Sequence, residues 1–268
     1  MVISLILGIF VGTVLGLTGA GGGILAVPVL VAGMGWSMQQ AAPVALVAVV
    51  GGAVIGALEG LRKRLVRYRA AILMAVTGVP FTAVGLHVAQ VLPQRWLMGL
   101  FGITMLFVGV RLLMQRHEVA SMSLEVSMRT VGRIDPKTGR FQWSWGTGFL
   151  LGSIGAFAGF LTGLLGVGGG FVIVPMLRRF TNVSMHGVVA TSLMVIALVG
   201  TGGIVVALTY GVVMPVKATV LFALATALGM VVGRQLSSRL SGHHVQRGFA
   251  VVLITVAIGL VILAIFSR

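Results

Sequence analysis

Eight stretches of the chain, at about residues 2–33, 39–61, 70–91, 95–114, 147–177, 187–212, 215–234 and 247–266, consist almost wholly of apolar residues and glycine. A helix needs about 20 such residues to cross a hydrocarbon core of about 30 Å. Only 9% of the 268 residues are charged, where a soluble domain carries about 25%. That deficit excludes a soluble globular domain, a disordered chain and a coiled coil. The 40 glycines lie inside the apolar runs, as they do in transmembrane helices. The sequence predicts an all-α polytopic membrane protein.

The bases have a matching explanation. Nineteen Lys and Arg stand against four Asp and Glu, a balance that in a soluble protein would point to nucleic acid. Here they cluster between apolar runs, where they set topology and face anionic lipid headgroups. The expected partner is the lipid bilayer and not nucleic acid. With no cysteine in the chain, disulfides, thiolate metal sites and cysteine nucleophiles are excluded. The first apolar run lacks a basic leader and a small-residue cleavage site, so it is expected to be retained as structure.

One long polar stretch, from Gln115 to about Ser144, holds Glu118, Glu125 and Asp135 and the turn signal Asp135-Pro136-Lys137-Thr138-Gly139. It divides the chain into a first transmembrane repeat (1–114), a polar connector (115–146) and a second repeat (147–268), with four apolar runs per repeat. The halves are related. A shift of 147 positions lays Gly8, Gly12, Gly16, Gly19, Gly21, Gly22, Gly23, Val27 and Pro28 on Gly155, Gly159, Gly163, Gly166, Gly168, Gly169, Gly170, Val174 and Pro175. Such an internal repeat fixes the architecture, and duplicated halves are a transporter layout.

The first run of each half is too long for one crossing. Residues 2–33 would measure about 48 Å as one helix at 1.5 Å per residue. Near its middle lies Gly19-Ala20-Gly21-Gly22-Gly23, and in the second half Gly166-Val167-Gly168-Gly169-Gly170. Each glycine costs about 1 kcal/mol against alanine in a helix. Each run is therefore expected to form two helical pieces, the second resuming at Ile24 and at Phe171. Irregular backbone at membrane depth survives only where protein buries it or a cavity borders it. If all eight runs cross, thirteen Lys and Arg fall on one side and six on the other; if the broken runs return, the split is sixteen against three. The positive-inside rule favours the second arrangement. Three crossings per half then make the halves inverted repeats, with the connector on the cytoplasmic side of a bacterial inner membrane.

The glycine runs are also the strongest chemical feature. Successive backbone N–H groups can curl into an anion-binding nest, and the resuming helix aims its positive dipole end at the same place. Gly21, Gly22 and Gly23, with Gly168, Gly169 and Gly170, are the candidate substrate-binding backbone, and Thr18 and Thr162 can add hydroxyls. Gly8, Gly12 and Gly16, with Gly155, Gly159 and Gly163, have the small-xxx-small spacing of close helix packing. His186, Thr191 and Ser192 open the sixth run and can form a polar wall. The first-half counterpart, Gln39-Gln40-Ala41-Ala42-Pro43-Val44-Ala45-Leu46, has no hydroxyls, so the half-sites are not equivalent. Thr191 and Ser192 can equally bond their own helix carbonyls.

Other chemistries find little footing. The glycine runs lack the preceding strand and third glycine of a dinucleotide fingerprint. Glu59, three residues before Arg62, reads as an interfacial ion pair. His87, His117, His243 and His244 sit near run ends without metal-ligand spacing. Trp36, Trp96, Trp143 and Trp145 sit at run edges, as interface anchors do. No catalytic residue, metal site or cofactor is expected.

At Gly16-Leu-Thr-Gly19-Ala-Gly21-Gly22-Gly23-Ile-Leu-Ala-Val27-Pro28 and Gly163-Leu-Leu-Gly166-Val-Gly168-Gly169-Gly170-Phe-Val-Ile-Val174-Pro175 the chain resembles the TauE/SafE sulfite and organosulfonate exporter family. His186 with Ala190-Thr191-Ser192-Leu193 resembles that family's second-half motif, and Arg95 through Gly109 and Leu113 the run closing its first half. The connector and the missing first-half Thr-Ser depart from it. The resemblance implies an inner-membrane secondary transporter, in the exporting direction, for small sulfur-containing anions such as sulfite or C2 sulfonates. The expected site lies near the midplane, with alternating access, in a chain that can pair as a homodimer. An anion channel and a non-transporting membrane scaffold are the alternatives.

Overall fold

The structure, a computed structural model, describes residues 2–114, 144–181, 183–212, 215–237 and 242–266. Most of the connector, including its three acids and the turn at 135–139, lies outside these residues. Every regular element among the described residues is a helix. The first half holds α1 (Val2–Thr18), a 3₁₀ stretch (Gly19–Leu25), α2 (Ala26–Met34), α3 (Met38–Arg62), α4 (Tyr68–Val91) and α5 (Gln94–Met114). The second half holds α6 (Trp145–Leu165), α7 (Gly170–Phe180), α8 (Met185–Thr209), α9 (Val216–Ser237) and α10 (Gly242–Phe266). Seven of them, α3 to α6 and α8 to α10, are long and apolar enough to cross a membrane. The chain is a multi-pass membrane protein.

Serines start three of the helices. Ser37 opens α3 with a capping box: its hydroxyl accepts from Gln40 N–H at 3.2 Å, and the Gln40 side chain accepts from Ser37 N–H at 3.4 Å. Ser144 and Ser184 cap α6 and α8 by accepting from Thr147 and Gly187 N–H at 3.1 and 3.3 Å. Each bond satisfies a donor that a helix start otherwise leaves orphaned. Trp36 and Trp96 stand at one end of the bundle and Trp145 at the other, two of the three strongly exposed.

The helices pair across the halves more than within them. A Cβ added to Gly12 or Gly16 of α1 would overlap the Thr226 or Met230 carbonyl oxygen of α9. One added to Gly159 or Gly163 of α6 would overlap the Gly78 or Thr82 carbonyl oxygen of α4. The small-residue stripes therefore serve close backbone approach, as their spacing predicts. Successive glycines meet successive turns, so α1 runs parallel to α9 and α6 parallel to α4. Gly60 and Gly56 of α3 meet Ala190 and Leu193 of α8, while Gly203 of α8 meets Leu46 of α3. Gly102 and Gly109 of α5 meet Val261 and Ile254 of α10, and Gln246 Nε2 donates to Leu112 O at 2.9 Å. Both pairs are antiparallel.

After α1 the chain doubles back on itself. A Cβ on Gly33 of α2 would stand 2.5 Å from Leu7 Cδ1, and Ser4 Oγ lies 3.6 Å from Met34 Sδ. The end of α2 thus lies beside the start of α1. Following these directions through the bundle, every described Lys and Arg except Arg95 and Lys217 falls at one end, that of the α3–α4 link.

Candidate functional site

Both glycine-rich breaks converge on the crossing of α3 and α8. A Cβ on Gly23 would stand 3.1 Å from both Val49 methyls and 3.3 Å from the Val167 carbonyl oxygen. One on Gly168 would stand 3.3 Å from Val49 Cγ1 and 2.8 Å from Ile196 Cγ2. Val49 and Ile196 lie about midway along helices of 25 residues each. The symmetry of the repeat extends to the flanks: Gly19 packs on Val189 of α8, and Gly166 packs on Ala42 of α3.

The two breaks nevertheless have different backbones. Each begins with a left-handed glycine, Gly19 (φ 74°) and Gly166 (φ 72°). In the first half the chain then winds as a 3₁₀ helix to Leu25, and the α-helix resumes at Ala26, two residues beyond the Ile24 expected from sequence. Backbone donors there bond within the turn, as Ala26 N–H does to Gly23 O. In the second half Gly168 (φ 78°) and Gly169 (φ 68°) are also left-handed, and the helix resumes at Gly170, one residue before the expected Phe171.

That second turn leaves donors free. Gly166 N–H donates to Thr162 O at 2.8 Å, and Val172 and Ile173 N–H both donate to Gly169 O, at 3.0 and 3.1 Å. Between them, the N–H groups of Gly168, Gly169, Gly170 and Phe171 have no backbone acceptor among the described residues. All four residues are buried. A buried N–H without a partner costs about 1–3 kcal/mol, and native chains seldom leave several together. Consecutive donors at a helix start are the chemistry of an anion site.

A cavity of about 100 Å³ at the weakly charged end reaches Gly166, where this turn begins, and not the four free donors themselves. Gln39, Gln90, Leu46, Thr82, Leu86 and Gly203 line it, together with Thr162, Gly163 and Gly166 from the end of α6 and the start of the turn. One water needs about 10–15 Å³ of such space, so the cavity suits several waters or one small oxyanion.

The side chains expected at the site divide into four groups. Thr18 and Thr162 spend their hydroxyls on their own helices, donating to Val14 O at 2.8 Å and Ala158 O at 2.7 Å. Thr191 is buried and accepts from Arg67 N–H at 3.0 Å, tying α8 to the start of α4. Ser192 is fully buried, and its hydroxyl has no hydrogen-bond partner. It stands one turn from Ile196, beside the breaks. His186 is exposed on the first turn of α8 at the charged end. Among the described residues no group of three or more potential metal ligands occurs.

The ion pair expected at Glu59 forms with other partners. Glu59 pairs not with Arg62 but with Lys63, at 2.7 Å, and with Arg234 from α9 in the other half. The bond to Lys63 has the i, i+4 spacing visible in the sequence; the bond to Arg234 requires the fold.

Comparison with known proteins agrees with this architecture. The family model for the sulfite exporter TauE/SafE matches residues 4–260. A probable membrane transporter protein of Xylella fastidiosa, in strains Temecula1 and 9a5c, is 30% identical over 263 residues, covering 96% of this chain and 94% of the relative. The probable membrane transporter protein YunE of Bacillus subtilis is 27% identical over 207 residues, 74% of each chain. No solved structure matches the chain.

Proposed function

Because the chain belongs to the sulfite exporter TauE/SafE family, we propose that it is a secondary transporter, in the exporting direction, of small sulfur-containing anions such as sulfite or C2 sulfonates. The observation that carries this reading is the run of buried residues from Gly168 to Phe171 whose N–H groups have no backbone acceptor, two residues beyond the Gly166 that borders a cavity. A sulfo group brings three oxygens to meet them, and the dipole of α7 favours the charge. Gly21, Gly22 and Gly23 provide the equivalent backbone in the first half, wound shut in this conformation. Thr18, Thr162, Thr191, Ser192 and His186 shape selectivity.

The layout that goes with it is two inverted repeats, 1–114 and 147–268, joined by a connector at 115–146. Antiparallel pairing of α3 with α8 and of α5 with α10 supports the inversion, and the return of α2 to the start of α1 supports a re-entrant first run. The cations at one end support the reading that this face, and with it the connector, is the cytoplasmic one in a bacterial inner membrane. Alternating access follows if the breaks exchange conformations, one closing as the other opens.

Thermal stability of the purified protein against sulfite, thiosulfate, sulfate, sulfoacetate, taurine and chloride tests the proposal. A ligand at 100 times its Kd adds about 2.7 kcal/mol to the folded state. A shift confined to a sulfur oxyanion or a sulfonate is the expected result. A folded protein indifferent to all of them contradicts it and favours a scaffold.

A further inference from the structure

The internal repeat sets counterparts of the cavity's lining at the charged end, and one side chain lies across them. Gly16, Gly19, Gly56 and Leu193 correspond to Gly163, Gly166, Gly203 and Leu46, which border the cavity of the weakly charged end. On the outer helices, Thr226 and Met230 of α9 stand to Gly12 and Gly16 as Gly78 and Thr82 of α4 stand to Gly159 and Gly163. One turn further along, Arg234 takes the place of Leu86, a wall of the open cavity. Its guanidinium reaches across α3: a Cβ on Gly56 would stand 2.6 Å from Arg234 Nη2 and 2.6 Å from Leu193 Cδ1. There it meets Glu59 of the first half, which is half-exposed and also held by Lys63 at 2.7 Å. The corresponding position to Glu59 in the second half is Val206, so the weakly charged end has no such pair.

We infer that Arg234 is the cation of an anion-binding site at the charged-end vestibule, next to the first glycine break, and that Glu59 occupies it in this conformation in place of the transported anion. Guanidinium binds planar or tetrahedral oxyanions through the same paired N–H donors that it offers a carboxylate. An arriving sulfo group therefore competes with Glu59. When it wins, the tie between α3 and α9 is lost and the vestibule opens toward the first break. This rests on the anion-transporter reading above, and it adds a residue, a route and a competitor that the glycine backbone alone does not supply.

The chain has no cysteine, so single-thiol reporters need no background removal. Ala57→Cys marks the filled vestibule, because Ala57 corresponds to Ile204; Ile204→Cys marks the open cavity. Each is labelled with a membrane-impermeant maleimide in oriented vesicles, with sulfoacetate as the protecting anion. Removing the competitor by Glu59→Gln is expected to speed labelling of the vestibule reporter. It should also lower the half-protecting sulfoacetate concentration there roughly two- to fivefold, the scale of a partly exposed ion pair. Arg234→Leu also speeds labelling but abolishes protection of that reporter, and Arg234→Lys retains part of it. The charge swap Glu59→Arg with Arg234→Glu restores slow labelling without protection. If Glu59→Gln and Arg234→Leu change protection in the same direction, the pair is only a tie and the inference fails. It fails as well if neither variant alters labelling of the vestibule reporter. Absence of protection at both reporters would instead remove the anion reading itself, whereas protection of the open-cavity reporter alone removes only this inference.

Discussion

The two glycine-rich breaks share a sequence pattern and a depth in the bundle, yet one is wound shut and the other is open. In the first, a Cβ on Gly22 would overlap the Leu15 backbone and stand 2.8 Å from Thr18 Oγ1, because α2 folds straight back onto α1. There the chain winds as a narrow 3₁₀ coil, and Ala26 N–H donates back to Gly23 O. In the second, Gly168 and Gly169 both take left-handed angles. The chain turns sharply, α7 begins at once, and its leading N–H groups face no backbone acceptor. A triple glycine thus permits a nest without enforcing one. Which form appears depends on what the flanking helices press against it.

The largest effect separates packing from function. Gly12→Leu and Gly159→Leu should each cost more than about 3 kcal/mol, since the added side chain meets a backbone carbonyl that cannot move aside. Unfolding in detergent, followed by thermal scanning, should show similar losses in both halves. Tolerance in one half alone would break the symmetry of the α1–α9 and α6–α4 pairs.

Next come the breaks themselves. Gly169→Val faces a left-handed backbone, costing about 1–2 kcal/mol for a residue with a Cβ, and stands close to Ala158 O at 2.8 Å. Gly22→Val carries no such angle but overlaps α1. Both should abolish anion flux in proteoliposomes while the protein still inserts. Normal flux through a folded double variant would remove the breaks from the transport path.

The smallest effects come from two neighbours on α8. Thr191→Val strands the Arg67 N–H in a part-buried position and should cost about 1–3 kcal/mol. Ser192→Ala removes a buried hydroxyl that bonds nothing in this conformation, so stability should hold or rise slightly. If Ser192 meets the anion, flux or selectivity falls although stability does not. Equal destabilisation by both variants would show that Ser192 has a partner in the resting fold.

Much of this architecture was legible in the sequence because the bilayer imposes lengths. Expected runs at 39–61, 70–91 and 95–114 became helices at Met38–Arg62, Tyr68–Val91 and Gln94–Met114. The stripes at Gly8, Gly12 and Gly16 announced close packing, and consecutive glycines announced the breaks. Which helix those stripes would meet was not legible, since α1 lies against α9 from the far end of the chain. Nor was the 3₁₀ winding of Gly19–Leu25, because local composition is nearly the same in both halves and tertiary pressure decides. The Glu59–Arg234 pair spans the two repeats and exists only once α3 and α9 are side by side. That Thr18 and Thr162 donate to their own helices in this conformation was not legible either, although hydroxyls in apolar helices often bond this way.

Amide hydrogen exchange across the two breaks tests the central claim most directly. The protein is measured alone and with whichever sulfur anion raises its melting temperature. Exchange in the peptide covering 166–173 should slow on anion binding, as free N–H groups of Gly168 to Phe171 gain an acceptor, with a smaller change at 19–26. An anion that stabilises the protein while leaving 166–173 unaltered would contradict the account and place its site elsewhere.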